Sequence, residues 1–481
     1  MKLRHVSGMA VAIALGWCPV ASAEDLRDAL AAAYSNNPDL LAQRAALRAL
    51  DEDVSNANAG FRPTVSGRID ANYQDSQSDF FASEAVPGTD PVTGDPIILP
   101  EGTLVNESEL NGIDRTYSGE VRQPIFRGLR TLNTKREAES LVRAGRANLS
   151  GVEQQVLTDG VTAYMDVVRD ISVLQLNENN VQVLRRQLQA SQDRFRVGEI
   201  TRTDVAQSEA RLAGAISQRI QAEADLEASR SGYQRVIGRY PGTLDPPPPL
   251  PEVPATLDEA EAIGLDESPT VISARFTEEA ARRAVNTAKG GVLPTIEANA
   301  GIQWRRGPVN FGDFTADIES RAWQAGVTMT VPLYQAGGEY AAVRRAKQVR
   351  SQRMLEIASA ERQVTESVRV AWEQYRAARA SIESNSAQVR ANEIALEGVR
   401  QEAAVGSRTT LDVLDAEQEL LDSRVNLVRA ERNEYVAAFS LLAAIGRLSA
   451  RSLDLDVEYY DPQEYYRDVR GKLIGWGTDD E

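Results

Sequence analysis

The sequence VGSRTTLDVLDA, residues 405–416, separates two long proline-free segments in which apolar residues follow a heptad-like spacing. We interpret it as the tight turn of a long helical hairpin. Thr410 is the expected N-cap of the returning helix, because a threonine hydroxyl accepts a hydrogen bond from a free amide of the first helical turn. The stretch therefore predicts a protein built on antiparallel helices.

A related sequence, VGEITRTDV, occurs earlier at residues 197–205. Gly198 and Gly406 are 208 positions apart, and Asp204 and Asp412 have the same separation. Ile-Gly-Arg runs at residues 237–239 and 445–447 repeat this spacing. The chain is therefore predicted to be a tandem duplication whose two halves share one architecture.

Residues 1–23 have the features of a secretory signal peptide, which predicts a mature chain beginning at Glu24. This segment contains the only histidine, His5, and the only cysteine, Cys18. The exported chain is then expected to have no disulfide, no zinc or copper site and no cofactor. A lipid anchor on Cys18 is an alternative, although Trp17 stands where lipidation signals need a small residue.

The balance of charge limits the possible partners. The chain has 70 acidic against 53 basic residues, a formal net charge of −17. Such an excess argues against nucleic acid and anionic lipid headgroups as partners. An enzyme without histidine or cysteine would need paired carboxylates or a Ser-Lys pair, and no loop cluster suggests a pocket. We therefore expect no enzymatic activity.

The repeats divide the chain into a regular order of segments. The first repeat is expected over residues 24–240 and the second over 257–450, joined by a Pro-rich linker at 241–256. An acidic, Tyr-rich tail at 451–481 is either a strap packed on the helices or partly disordered. Each repeat is predicted to contain short helices, a β-hairpin and a long helical hairpin. In the first repeat the β-hairpin is 63–124 and the helical hairpin is 130–238, with its tip at 197–205. In the second repeat they are 294–332 and 338–446, with the tip at 405–413.

The β-hairpins show alternation of apolar and polar residues. Each strand is predicted to be about ten residues long, which spans a tilted bilayer crossing, and the polar run 76–111 is predicted to be a surface loop. Pro63, Pro124, Pro294 and Pro332 are expected where strands meet helices. The aromatic residues near the loops are expected to form a girdle at one headgroup level: Tyr73, Tyr117, Trp304 and Trp323. The alternative is a pair of hairpins packed on a soluble core.

Four strands cannot close a barrel, and open strand edges are not tolerated in lipid. Two copies would give eight strands with a filled interior, whereas three give twelve strands and a lumen. Because the predicted inner residues are polar, we favour the trimer. The predicted fold is thus an α+β membrane protein: a homotrimeric, 12-stranded outer-membrane β-barrel with four strands per chain, continued by a long α-helical coiled-coil barrel.

The duplicated plan, the proline-bracketed hairpins and the VGSRTTLDVLDAEQ turn resemble the TolC family of outer-membrane channel-tunnels. The resemblance covers nearly the whole mature chain. It implies a channel in the bacterial outer membrane with its helical tube in the periplasm. Such a channel exports proteins (type I secretion) or small toxic molecules (multidrug efflux) with a periplasmic adaptor protein and an inner-membrane ABC or RND-type pump. The sequence does not separate these two roles, nor does it identify the substrate.

The resemblance also implies roles at the hairpin tips. Asp412 and Asp415 would form the periplasmic gate, and Arg408 would be a latch to Thr203 and Asp204 of the neighbouring tip. The first copy has Gln207 in place of the second acid. Ala403 stands where the family often has an aromatic latch, which implies a more weakly held closed state. The tip residues expected to contact the adaptor are Val197, Gly198, Val405 and Gly406.

Two alternatives stay open at this point. Asp204 and Asp412 lie in the first turn of a helix, where the helix dipole favours a carboxylate without any gating role. A periplasmic coiled-coil adaptor or structural protein without its own pore would explain the helical hairpins. It would not explain the duplicated alternating strands.

Overall fold

A computed structural model describes residues 24–310 and 315–477, so the predicted signal peptide at residues 1–23 lies outside the described residues. The described chain is an α+β protein, as predicted. Its helices are α1 Leu26–Asn36, α2 Pro38–Ala59, α3 Arg130–Arg196, α4 Arg202–Ile237, α5 Leu257–Glu267, α6 Pro269–Lys289, α7 Gly338–Ala404, α8 Thr410–Ala444 and α9 Glu464–Val469. Its strands are β1 Thr64–Phe81, β2 Val86–Thr89, β3 Pro96–Leu99, β4 Leu104–Arg127, β5 Thr295–Asn310 and β6 Thr315–Thr330.

The chain divides into two compact units, and this division cuts across the two sequence repeats. The helical unit contains the described residues up to Ala49 together with Arg143–Phe276 and Met354–Glu464. The sheet unit contains Leu50–Val142, Thr277–Arg353 and the chain from Tyr465. Each unit takes corresponding pieces from both repeats, so neither repeat forms a compact body alone.

The core of the helical unit is a layer of leucine, valine and tyrosine side chains contributed by both repeats. Tyr164 on α3 and Tyr233 on α4 are completely buried, as is Leu441 on α8. Apolar side chains at helical spacing turn one stripe of each helix inward. Burial of these stripes is what holds the long helices together.

Two tyrosine hydroxyls fasten the linker to this core. The Tyr164 hydroxyl lies 2.7 Å from the carbonyl oxygen of Asp245 and 3.1 Å from that of Glu24. The Tyr435 hydroxyl donates to the carbonyl oxygen of Pro248 at 2.8 Å. Burial raises the pKa of both tyrosines, that of Tyr435 to about 12. The linker is therefore held against the helices by neutral hydroxyl groups.

The segment after residue 450 is a packed strap in its described part. Leu455 is buried in the core of the helical unit, and the backbone N–H of Tyr460 donates to the Tyr34 hydroxyl. Val469 on α9 is buried in the sheet unit. Residues 451–469 therefore form a packed strap, which was one of the two alternatives predicted for this segment; the other was a partly disordered tail.

The sheet unit contains one four-stranded antiparallel sheet in the order β1-β4-β5-β6. The hairpins of the two repeats therefore pair side by side through β4 and β5. β1 and β6 are the outermost strands, each paired on one side only among the described residues. Their free edges expose backbone donors and acceptors.

The predicted length of the strands and the predicted loop at 76–111 were wrong. The strands have 16 to 24 residues. β1 continues to Phe81 and β4 begins at Leu104, and between them β2 and β3 form a second small hairpin. An antiparallel ladder needs no apolar alternation where both faces meet water, so the polar composition of this run concealed its strands.

Proline marks three of the four predicted strand ends. Pro63 and Pro294 directly precede β1 and β5, and Pro332 follows β6. Pro124, in contrast, lies inside β4, where the register to β5 shifts between Pro124 and Phe126. Proline has no N–H to donate to the ladder, and a bulge accommodates that loss.

Among the described helices, none combines the length and apolarity required to cross a bilayer.

Candidate functional site

The second hairpin tip is a tight turn between α7 and α8. Gly406 has φ +81°, in the left-handed region that glycine adopts without strain, and its N–H donates to the Ala403 carbonyl. The N-cap of α8 is Thr409 rather than Thr410, which is the first helical residue. The reason is a capping box, which requires the hydroxyl three residues before Asp412.

The capping box fixes the carboxylate of Asp412. The Thr409 hydroxyl accepts from the Asp412 N–H at 3.2 Å. In return, Asp412 Oδ2 accepts from the Thr409 N–H at 2.9 Å and from its hydroxyl at 2.8 Å. These bonds from the Thr409 N–H and hydroxyl, with the nearby charge of Arg408, lower the pKa of Asp412. In the single chain, this carboxylate therefore stabilises the start of its own helix.

The first tip has the same geometry. Gly198 also has φ +81°, and Thr201 and Asp204 form a second capping box, with Asp204 Oδ2 accepting from the Thr201 N–H at 2.9 Å. The duplication thus preserves the turn, the cap and the carboxylate in both repeats. Within one chain, Asp204 and Asp412 therefore each stabilise the start of a helix, as in the alternative without a gating role.

Arg408, the predicted latch, lies on the surface of the second tip. Its Nε donates to Glu402 Oε2 at 2.9 Å, across the turn on the last part of α7. Within one chain it is thus paired with Glu402, while Asp204 accepts from Thr201. A bond from Arg408 to Thr203 and Asp204 of a neighbouring copy stays a prediction.

Asp415, the second predicted gate residue, forms an ion pair with Arg211 on α4. The pair is supported by a small apolar cluster, in which the buried Leu414 packs with Leu184 on α3 and Ala215 on α4. Arg211 was not among the residues predicted from the sequence. A basic residue on the first returning helix, one heptad beyond Asp204, was the available signal.

A second charged contact that was not predicted from the sequence lies nearby. Glu417 on α8 is buried, and its Oε1 accepts from Arg400 on α7 at 3.0 Å. A buried carboxylate needs such a partner because its desolvation is costly. This pair ties together the two helices of the second hairpin close to its tip.

In the part of the sheet nearer the helices, the register places the large apolar residues of all four strands on one face. Val65 pairs with Val121, Ile69 with Tyr117, Tyr117 with Trp304, and Ile302 with Trp323. The polar residues at the intervening positions lie on the other face. Both faces are exposed over most of their length, so the apolar one has no cover within the described chain.

The four predicted girdle residues lie on this apolar face. Tyr117 and Trp304 are directly opposite, with ring centroids 5.8 Å apart. Relative to that pair, Trp323 is two residues nearer the helical end of its strand and Tyr73 four residues farther away. They therefore form a diagonal across the hydrogen-bonded rows. Strands tilted by about 40° need a diagonal if aromatic residues are to share one height.

Among the residues described, no cluster of three or more His, Cys, Asp or Glu side chains could hold a metal ion. The acidic residues of the tips instead bond to their own helix starts or to arginine.

The model of the family described as "Outer membrane efflux protein" matches residues 29–239 and 264–447. The chain belongs to this family. The two matched segments correspond to the two repeats and lie on either side of the linker, so the match includes both tips and all four long strands.

Relatives agree with the family assignment over most of the chain. This chain is 35% identical over 463 residues to outer membrane efflux protein BepC of Brucella suis biovar 1, covering 96% of this chain and 93% of that protein. It is 24% identical over 435 residues to outer membrane protein TolC of Vibrio cholerae, covering 90% and 92%. It is 24% identical to alkaline protease secretion protein AprF of Pseudomonas aeruginosa, covering 71% and 73%.

Solved structures show the same fold. CusC, described in a study of folding and transmembrane channel formation, matches with a TM-score of 0.72 at 16% identity, covering 88% of this chain and 92% of that one. The outer membrane protein VceC from Vibrio cholerae matches with a TM-score of 0.69 at 17% identity, covering 88% and 96%. The chain therefore has the TolC-like tunnel fold.

The chain forms an outer-membrane channel for efflux or type I secretion, with a periplasmic tunnel. Its family is one of transport channels rather than a class of enzymes. TolC-like channels are homotrimers that work with adaptor and inner-membrane pump partners. The resemblance to the TolC family and the predicted fold class, function and location are thereby confirmed.

Proposed function

We propose that this channel is the outer-membrane exit of a three-part export system, in which a periplasmic adaptor binds the hairpin tips and an ABC or RND-type pump supplies the substrate. The observation that carries the proposal is the duplicated tip. Both tips have the same left-handed glycine, capping box and carboxylate, and each presents an uncovered valine.

The exposed valines fit a docking role. Val197 and Val405, each directly before the turn glycine, are 78% and 81% exposed. Three copies would present six such residues on six equivalent turns. Apolar side chains held on rigid, capped turns are suited to the apolar grooves of a partner's helices. We therefore assign Val197, Gly198, Val405 and Gly406 to the adaptor contact.

Docking is tested by substitution and cross-linking. Val197→Asp with Val405→Asp should strongly reduce the amount of adaptor that co-purifies with the cross-linked channel. Ile394→Asp is the matched control, because Ile394 on α7 is 76% exposed but lies away from the turn. Equal adaptor recovery from all three proteins would contradict the docking assignment. The class of pump that co-purifies with the adaptor decides between the ABC and RND types.

Asp412 and Asp415 are assigned to the gate. In a trimer they would supply six carboxylates near one axis, and like charges at short distance repel. Two interactions within the chain offset the cost of this repulsion: the Thr409 cap stabilises the Asp412 carboxylate, and Arg211 supplies an opposite charge to Asp415. Arg408 would then latch either to Glu402 of its own tip or to Thr203 and Asp204 of the next copy.

The gate is tested by conductance in planar bilayers. Asp412→Asn with Asp415→Asn should abolish block by divalent cations added on the periplasmic side, because the carboxylates that bind them are gone. Arg408→Ser should raise single-channel conductance. Block of equal strength after the double substitution would place the constriction elsewhere, and unchanged conductance of the Arg408 variant would remove the latch.

The apolar face of the sheet is assigned to outer-membrane lipid, with Tyr73, Tyr117, Trp304 and Trp323 at the headgroup level. Two features support this: the face is exposed and apolar across all four strands, and the aromatic residues lie near one end of it. The outer edges of β1 and β6 would pair with neighbouring copies, since unpaired edges are too costly in hydrocarbon.

A further inference from the structure

We propose that residues 473–476, Leu-Ile-Gly-Trp, insert into the periplasmic leaflet of the outer membrane beside the base of β1. We call this segment the apolar hook. The inference rests on the proposed assignment of the apolar sheet face to lipid, and it adds a second lipid contact outside the barrel strands.

The position of the hook is set by hydrogen bonds along the end of α2. Ser55 Oγ donates to the Val469 carbonyl and Asn58 Nδ2 to the Arg470 carbonyl, both at 3.1 Å. Arg62 then donates to the Lys472 carbonyl at 2.8 Å and to that of Gly471 at 3.4 Å. These donors follow one another toward the sheet, because Arg62 is two residues before the first residue of β1. Residues 469–472 therefore run along the end of α2 and reach the helical end of β1.

The hook itself is an exposed apolar loop. Leu473, Ile474 and Trp476 are 75%, 92% and 101% exposed. The Lys472 ammonium group donates to the Gly477 carbonyl at 2.9 Å, which closes the loop around them. A closed polar base with three adjacent uncovered apolar side chains is an arrangement that water disfavours.

Lipid is the occupant that the surroundings favour. The hook lies beside Arg62, and the next outward-facing residues along the chain are Val65 and Ile69 of the exposed apolar face. That end of the sheet joins the helices, so it is the periplasmic end in a channel with a periplasmic tunnel. Tryptophan is enriched at membrane interfaces. Arg470 and Lys472 directly precede the hook, where their charges would meet lipid phosphates.

Three of the four tryptophans of the described chain supply the probe and its controls. Trp476 is in the hook, Trp323 is on the apolar sheet face, and Trp372 is partly buried against the core of the helical unit. The full-length trimer is reconstituted in phosphatidylcholine vesicles with or without brominated acyl chains, which quench tryptophan on contact. Trp476→Phe, Trp323→Phe and Trp372→Phe are compared with the parent protein. Phenylalanine at the exposed position 476 leaves the packing of the chain unchanged.

We expect Trp476→Phe and Trp323→Phe each to remove emission that the brominated lipid quenches, whereas Trp372→Phe removes emission that it does not quench. If only Trp323 is quenchable, the hook inference is overturned while the lipid assignment of the sheet stands. Acrylamide quenching of Trp476 would then indicate water, and protection from both quenchers would indicate a neighbouring copy or another protein. If neither Trp323 nor Trp476 is quenchable, both assignments fail.

Discussion

Arg211 on α4 and Asp415 on α8 form an ion pair that joins the returning helices of the two repeats near their tips. The two residues are 204 positions apart in the sequence. Arg211 neutralises the Asp415 carboxylate, which would otherwise add negative charge at the proposed gate. It therefore links the relative position of the two hairpins to the charge of the proposed gate.

We expect Arg211→Gln and Asp415→Asn each to raise the open probability of the channel by at most about fivefold, since an exposed ion pair contributes up to about 1 kcal/mol. The double substitution should have no larger effect than either single one, because each removes the same pair. Single-channel recording in bilayers measures this. Arg219→Gln is the control, since Arg219 pairs with Glu223 inside α4. Additive effects of the two substitutions would argue against a shared pair.

The capping box predicts different effects at two adjacent threonines. Thr409→Ala removes the N-cap and should destabilise the start of α8 by about 1 kcal/mol. Thr410→Ala, in the first helical turn, should destabilise it by less than about 0.5 kcal/mol. Amide hydrogen exchange in the first turn of α8 should therefore become roughly fivefold faster in the Thr409 variant. Faster exchange in the Thr410 variant instead would return the N-cap to that residue.

The two faces of β6 should respond differently to a charge. Val327 lies on the apolar face and Gln324 on the opposite one. Val327→Lys should cost about 2–4 kcal/mol in the membrane and reduce the amount of heat-modifiable trimer in outer-membrane fractions. Gln324→Lys, three residues away, should assemble normally because its side chain meets water. Equal trimer yields from both variants would remove the lipid assignment of this face.

The buried hydroxyl of Tyr435 makes the linker sensitive to alkaline pH. Burial raises the pKa of Tyr435 to about 12, above the ordinary value of about 10. Its contribution to stability is therefore complete below pH 10 and is lost as the pH rises toward 12.

Protease cleavage of the linker across this range measures the effect. Tyr435→Phe removes the hydrogen bond to Pro248 and should lower the stability of the docked linker by about 1 kcal/mol at pH 8. Between pH 10 and 12, cleavage of this variant should then change less than cleavage of the parent protein. Tyr240→Phe, which alters an exposed tyrosine, should behave like the parent protein. An unchanged alkaline profile in the Tyr435 variant would show that other groups control the linker.

Sequence periodicity was most informative where secondary structure is local. The two helical hairpins begin at the predicted residues 130 and 338 and end within two residues of the predicted limits 238 and 446. A helix depends on neighbours three and four positions away, and glycine stops it near Gly198 and Gly406. Strands within residues 76–111 were missed because a strand is stabilised by a partner distant in sequence. The partner strand cannot be predicted from the composition of one strand alone.

The sequence by itself determined the duplication, the order of the long helices and the four long strands, the two faces of those strands and the resemblance that identifies the channel. These depend on residue spacing and on recurring motifs, which are readable without coordinates. Only the tertiary structure decided that Thr409 caps α8, that Asp415 pairs with Arg211 and that Arg62 holds the tail beside β1. Each of these depends on which side chains packing brings within hydrogen-bond distance, and for the last two the partners lie 204 and about 410 residues apart.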